Sequence, residues 1–101
     1  MGAKRSPAAV RLLTRVIATG EFTTEALAAE LVIPVEMVDR FASNDVPMPL
    51  ERQLALALFV IERVPSLARS GHQLKGQVAA ALAFATKVTE VHSGAPPVRQ
   101  R

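Results

Sequence analysis

The side chains with chemical potential are few. Glu36 and Asp39 stand three residues apart, a spacing that puts two carboxylates on one side of a helix. Such a pair can bind a metal or carry out acid–base work, but no third ligand or pocket-forming pattern accompanies it, and a solvated helix face is its ordinary meaning. His72 and His92 are twenty residues apart. On one helix, at about 1.5 Å per residue, they lie roughly 30 Å from each other and share no metal within a chain. There is no cysteine, hence no disulfide framework, thiol catalysis or cysteine-based zinc site. No nucleophile–base pattern, glycine-rich phosphate loop or metal spacing occurs. The chain therefore reads as a non-enzyme with no cofactor and no metal. The guanidinium groups remain: Arg11, Arg15, Arg40 and Arg52 form a set suited to phosphate, although arginines on the surface of a helical domain are also ordinary.

The charges are unevenly placed. Residues 1–20 hold Lys4, Arg5, Arg11 and Arg15 and no acid, a balance of +4. Residues 21–51 hold five Glu and two Asp against Arg40, a balance of −6, and residues 52–101 hold seven Lys or Arg against Glu62 and Glu90, a balance of +5. Basic flanks suit phosphate, whereas the acidic middle has the wrong sign for a reader of DNA. The chain has 101 residues, half of them apolar and 21% charged, which implies one globular domain with a single small core. The N-terminus lacks the uninterrupted apolar segment and cleavage site of a signal peptide. An apolar run such as Leu54 to Ile61, of a length nothing else in the chain exceeds, is far below the roughly 20 residues of a membrane span.

Helical elements must position these groups. Residues 1–6 form a basic arm. Ser6 and Pro7 make an N-cap and first-turn pair for a helix over about 7–19, with Val10, Leu13, Val16 and Ile17 inward and Gly20 ending it. Thr23 or Thr24 caps a second helix. Its Leu27, Ala28 and Leu31 share a face, and it ends before Val32-Ile33-Pro34, since proline fits only a first turn. A third helix covers about 35–43. Pro49 opens a fourth over about 49–64, apolar on every side and therefore expected to be the enclosed central helix, with Leu54, Leu58 and Ile61 buried. Pro65 stops it. Ser70 and Gln73 fit a capping box for a fifth helix over about 71–92, whose Leu74, Val78, Ala81, Leu82, Ala85 and Val88 recur near every 3.5 residues. Residues 93–101 read as a disordered tail.

The pair over residues 23–44 resembles the helix-turn-helix of the Cro/CI-like (lambda-repressor-like, Xre) family. The matching positions are Leu27-Ala28, Leu31, Val32-Ile33, Pro34, Val38 and Phe41. Asn44 stands where the family often has Gly, and both tolerate the left-handed conformation at a helix end. Val32 stands at the turn position usually filled by Gly. A β-branched residue suits φ > 0 poorly, which predicts a turn of a different shape. The resemblance implies a phosphate contact at Thr24 and base-facing positions at Val35 and Glu36, with Arg40 one turn on. Arg40 would reach guanine or phosphate, Glu36 would accept from cytosine N4, and Val35 would meet a thymine methyl. Glu36 and Asp39 would also repel phosphates.

These readings give an all-α fold of about five helices, with one domain over 7–92 and the helix-turn-helix at its N-terminal end. The expected function is a small cytoplasmic DNA-binding regulator reading the major groove with residues 35–43. Lys4 and Arg5 would add sequence-independent affinity. The leftover apolar stripe of the fifth helix, at Leu74, Val78, Leu82 and Ala85, would form a homodimer interface suited to palindromic sites. The alternative is a protein-interaction module on the same fold that does not read DNA.

Overall fold

Ser6 starts the fold: its hydroxyl oxygen accepts from the amide of Ala9 at 3.2 Å, and Pro7 takes the first helical position. In the computed structural model, which describes the backbone of residues 6–93 and the side-chain surroundings of residues 6–84, helix α1 spans Pro7–Ala18. Gly20 follows at φ 71° and donates its amide to Ile17 at 3.1 Å, the left-handed stop that glycine adopts at least cost. Thr23 caps α2, Thr24–Leu31, by accepting from the Ala26 amide at 3.0 Å. Pro34 immediately precedes α3, Val35–Ala42, and Pro49 immediately precedes α4, Leu50–Arg63. A 3-10 turn at Pro65–Leu67 leads directly into α5, Ala68–Ser93. The fold is all-α with five helices, and no strand occurs among the described residues. None of these helices is long and apolar enough to cross a membrane.

The core gathers one face from each helix: Leu12, Leu13 and Val16 of α1, Leu27 and Leu31 of α2, Phe41 of α3, Leu56 and Val60 of α4, and Leu74 and Val78 of α5. The most extensive contact joins α4 to α5, which turns back along it. Gly71 permits the approach. A Cβ there would lie 3.1 Å from the Ala57 carbonyl oxygen and 3.0 Å from Ile61 Cγ1. At about 1.5 Å per residue, the 26 residues of α5 outrun the 14 of α4 by roughly 18 Å. The loop ahead of α2 is held to α4 by the Phe22 ring, edge-on to Phe59 with centroids 4.9 Å apart. Arg63 lies over both rings, 5.9 and 5.6 Å from their centroids, and pairs with Glu30 at 3.7 Å.

Four expectations need correction. In α1 the inward face is Ala9, Leu12, Leu13 and Val16, while Val10 is half-buried and Ile17 exposed. The small Ala9 lets the helix sit close and rotates the bulkier Val10 and Ile17 outward. Helix α4 is not enclosed: Leu58 is 41% exposed, and Leu54 and Ile61 are half-buried. Its buried stripe is Gln53, Leu56, Ala57, Val60, with Phe59 beside it. Gln53 is tolerated there because its Nε2 donates to the Met48 carbonyl at 2.8 Å. Ser70 does not cap α5. The 3-10 turn anchored by buried Leu67 passes into the α-helix at Ala68, so Ser70 is already inside it. Finally, Leu74 and Val78 are each only 1% exposed, because they close the chain's own core against α4, and so they form no dimer surface.

Candidate nucleic-acid interface

The turn between α2 and α3 is closed by main-chain hydrogen bonds. The Val32 amide donates to Ala29 at 3.3 Å and the Ile33 amide to Ala28 at 3.0 Å, the paired pattern of a helix terminated by a left-handed residue. That residue is Val32, at φ 57° and ψ 54°. The expected change of turn shape does not occur: the valine takes the conformation a glycine would take. A β-branched side chain there costs about 1–2 kcal/mol. The side chain is 69% exposed, so packing supplies little in return. The same pattern ends α3. Asn44, at φ 64°, donates its amide to Phe41 at 3.2 Å, and the Asp45 amide donates to Arg40 at 2.9 Å. Asn44 therefore does adopt the left-handed conformation expected of it.

Between these two stops, α3 is amphipathic. Val38 and Phe41 are buried, whereas Val35, Glu36, Asp39, Arg40 and Ser43 are exposed. Spacings of three (Glu36–Asp39, Arg40–Ser43) and four (Val35–Asp39, Glu36–Arg40, Asp39–Ser43) put the exposed set along one outer face. Glu36 and Arg40 are four apart, yet no ion pair within 4 Å joins them among the described residues, so the Arg40 guanidinium is uncommitted. Thr24 opens α2, half-buried, while its neighbour Thr23 is the residue that caps the helix. Helical spacing thus unites Val35, Glu36 and Arg40, with Thr24 on the far side of the turn. Lys4 and Arg5 lie outside the described residues, as do the side chains of Ala85 and His92. Asp39, already paired with Glu36 by its spacing, and Ser43 lie on the same outer face. The helical repeat counted from Val35 includes both.

The four arginines separate. Arg52 is half-buried, and its Nη1 donates to the Leu31 carbonyl at 3.2 Å. It closes the C-terminus of α2, where a cation is favoured. Arg40 stands on α3. Arg11 and Arg15 line a cleft between α1 and α5 with Ala8, Leu12, Ser70 and Gln73. Sequence carries no local signal for Ser70 and Gln73 as their neighbours, because the contact spans some sixty residues. Glu36 and Asp39 gain no third ligand: no group of three His, Cys, Asp or Glu able to hold a metal occurs among the described residues.

No protein-family model, no curated protein and no solved structure matches this chain.

Proposed function

We propose that the protein is a small helix-turn-helix DNA-binding protein of the Cro/CI-like type, a regulator that lays the outer face of α3 in the major groove. One observation carries the reading. The α2–α3 turn keeps the left-handed conformation at Val32 despite its cost, and on the α3 face that this turn presents the side chains of Glu36, Asp39 and Arg40 pair with no other described residue. Local strain retained at an exposed position is a mark of function rather than of stability.

Each side chain then has a role. Thr24 contacts the phosphate backbone. Arg40 donates to guanine or to phosphate, Glu36 accepts from cytosine N4, and Val35 meets a thymine methyl. The basic arm, with Lys4 and Arg5, supplies sequence-independent affinity. A homodimer would place two such units in twofold relation on a palindromic site, paired through the part of α5 that outruns α4.

A second reading is favoured by the chemistry of the same face. Glu36 and Asp39 outnumber Arg40, and Val32 and Val35 leave two apolar side chains, 69% and 41% exposed, at the turn. That mixture suits a basic protein partner, and the helix-turn-helix would then be an interaction module. Binding to a random-sequence duplex pool separates the two. The regulator retains duplexes in a salt-dependent way, and Arg40→Ala weakens the preferred sequence by roughly 1–3 kcal/mol. The interaction module retains none.

A further inference from the structure

The cleft between α1 and α5 has its own chemistry. Four of its six lining residues are polar: Arg11 and Arg15 from α1, Ser70 and Gln73 from α5. Arg11 and Arg15 are one helical turn apart, and so are Ser70 and Gln73, so two short ladders of donors face each other across it. No carboxylate lines it. The helices that build it do not neutralise it either. Helix α1 contains no acid, and α5 contains none from Ala68 to Phe84, where it adds Arg69, His72 and Lys75.

The donors are also unspent. Arg52 is used by the Leu31 carbonyl and Arg63 by Glu30. No side-chain hydrogen bond or ion pair to any described residue engages Arg11, Arg15, Ser70 or Gln73. Two guanidinium forks, a hydroxyl and a primary amide without acceptors match a tetrahedral oxyanion with three or four acceptor oxygens. The cleft measures about 210 Å³, about seven waters at roughly 30 Å³ each. That holds a phosphate and the first atoms attached to it, and falls below the usual volume for a drug-sized ligand.

We infer that this cleft is a phosphate-binding site, with Arg11 and Arg15 gripping the oxyanion and Ser70 and Gln73 completing its hydrogen bonds. The ligand class is a phosphate ester, presented either by a small phosphorylated molecule or by a nucleic-acid backbone. The site does not depend on α3 and stands or falls apart from the function proposed for it.

The test is an NMR titration of the labelled full chain with inorganic phosphate and, in parallel, with a blunt duplex lacking terminal phosphates, at constant ionic strength. Phosphate should give saturable shifts at Ser70, at the Gln73 side-chain amide and at the Nε–H of Arg11 and Arg15, and leave Arg40 and Arg69 still. Arg11→Gln with Arg15→Gln should weaken phosphate binding by about tenfold or more. The thermal midpoint should hold, since both side chains are exposed. Arg11→Lys with Arg15→Lys, which keeps charge but loses the forks, should fall between. A duplex that moves the same four residues identifies the source as nucleic-acid backbone, whereas silence from the duplex assigns it to small phosphorylated molecules. Shifts that never saturate, that spread equally to Arg40 and Arg69, or that survive the double Gln variant overturn the site. A duplex bound through α3 while the cleft ignores phosphate would overturn this inference and leave the regulator reading intact.

Discussion

Val32 is the residue at which local preference and overall architecture disagree most. Its φ of 57° is one a β-branched side chain resists, and its 69% exposure means that removing the side chain forfeits little burial. Val32→Gly should therefore stabilise the protein by about 1 kcal/mol, the strain released less the added freedom of the unfolded glycine chain. Urea denaturation checks this: an unchanged or lowered midpoint would mean that the side chain is held by contacts that offset its strain. The sequence pointed to this position for the right reason and to the wrong outcome. Penalty per residue is local, whereas the turn is held by bonds from Val32 and Ile33 to α2 and by the packing of Leu31 and Val38 on either side. Asn44, where propensity and architecture agree, was legible from its type together with its place in the helix-turn-helix resemblance.

At the scale of elements, the helices were legible because their ends are chemically marked. Ser6 and Thr23 cap, Gly20 and Asn44 stop, and Pro34, Pro49 and Pro65 separate. The outward side of α4 was not legible, since Leu54, Ala55, Leu56, Ala57, Leu58 and Phe59 offer no polar contrast. The contacts with α5, α2 and α1 decide it. Leu56 is fully buried and Leu58 is 41% exposed, so Leu56→Ala should cost roughly 2–5 kcal/mol and Leu58→Ala less than about 1 kcal/mol. Equal losses in chemical denaturation would contradict the observed rotation of α4. The glycines of α5 form a second contrast. A methyl at Gly71 would meet the Ala57 carbonyl oxygen at 3.1 Å, whereas at Gly76 nothing lies within 4 Å. Gly76→Ala should stabilise by about 0.5–1 kcal/mol through helix propensity. Gly71→Ala should destabilise despite the same propensity gain, because α4 and α5 would have to move apart. Thermal midpoints shifted in the same direction by both variants would refute this.

At the scale of the whole molecule, the opposing charges of the segments follow the fold. The acidic stretch builds α2 and α3, and the basic flanks contribute α1 and α5. The division of the arginines was beyond sequence, because the acceptor for Arg52 lies 21 residues away and the cleft at Arg11 and Arg15 needs α5 to fold back. The dimer expectation keeps Leu82, which is 37% exposed, after losing Leu74 and Val78. Sedimentation at micromolar concentration is expected to show a dimer that Leu82→Glu separates into folded monomers. A wild-type monomer would place the protein on DNA as a single unit. The dependence of duplex binding on salt tests the role of α3 most directly. With Arg40, Lys4 and Arg5 neutralising phosphates, log Kobs should fall with log salt at a slope of about −3 per protomer. Arg40→Ala should reduce that slope by about 1. A wild-type protein that binds no duplex at about 50 mM salt, or binds with a flat slope, contradicts the reading of α3 as a DNA-contacting helix.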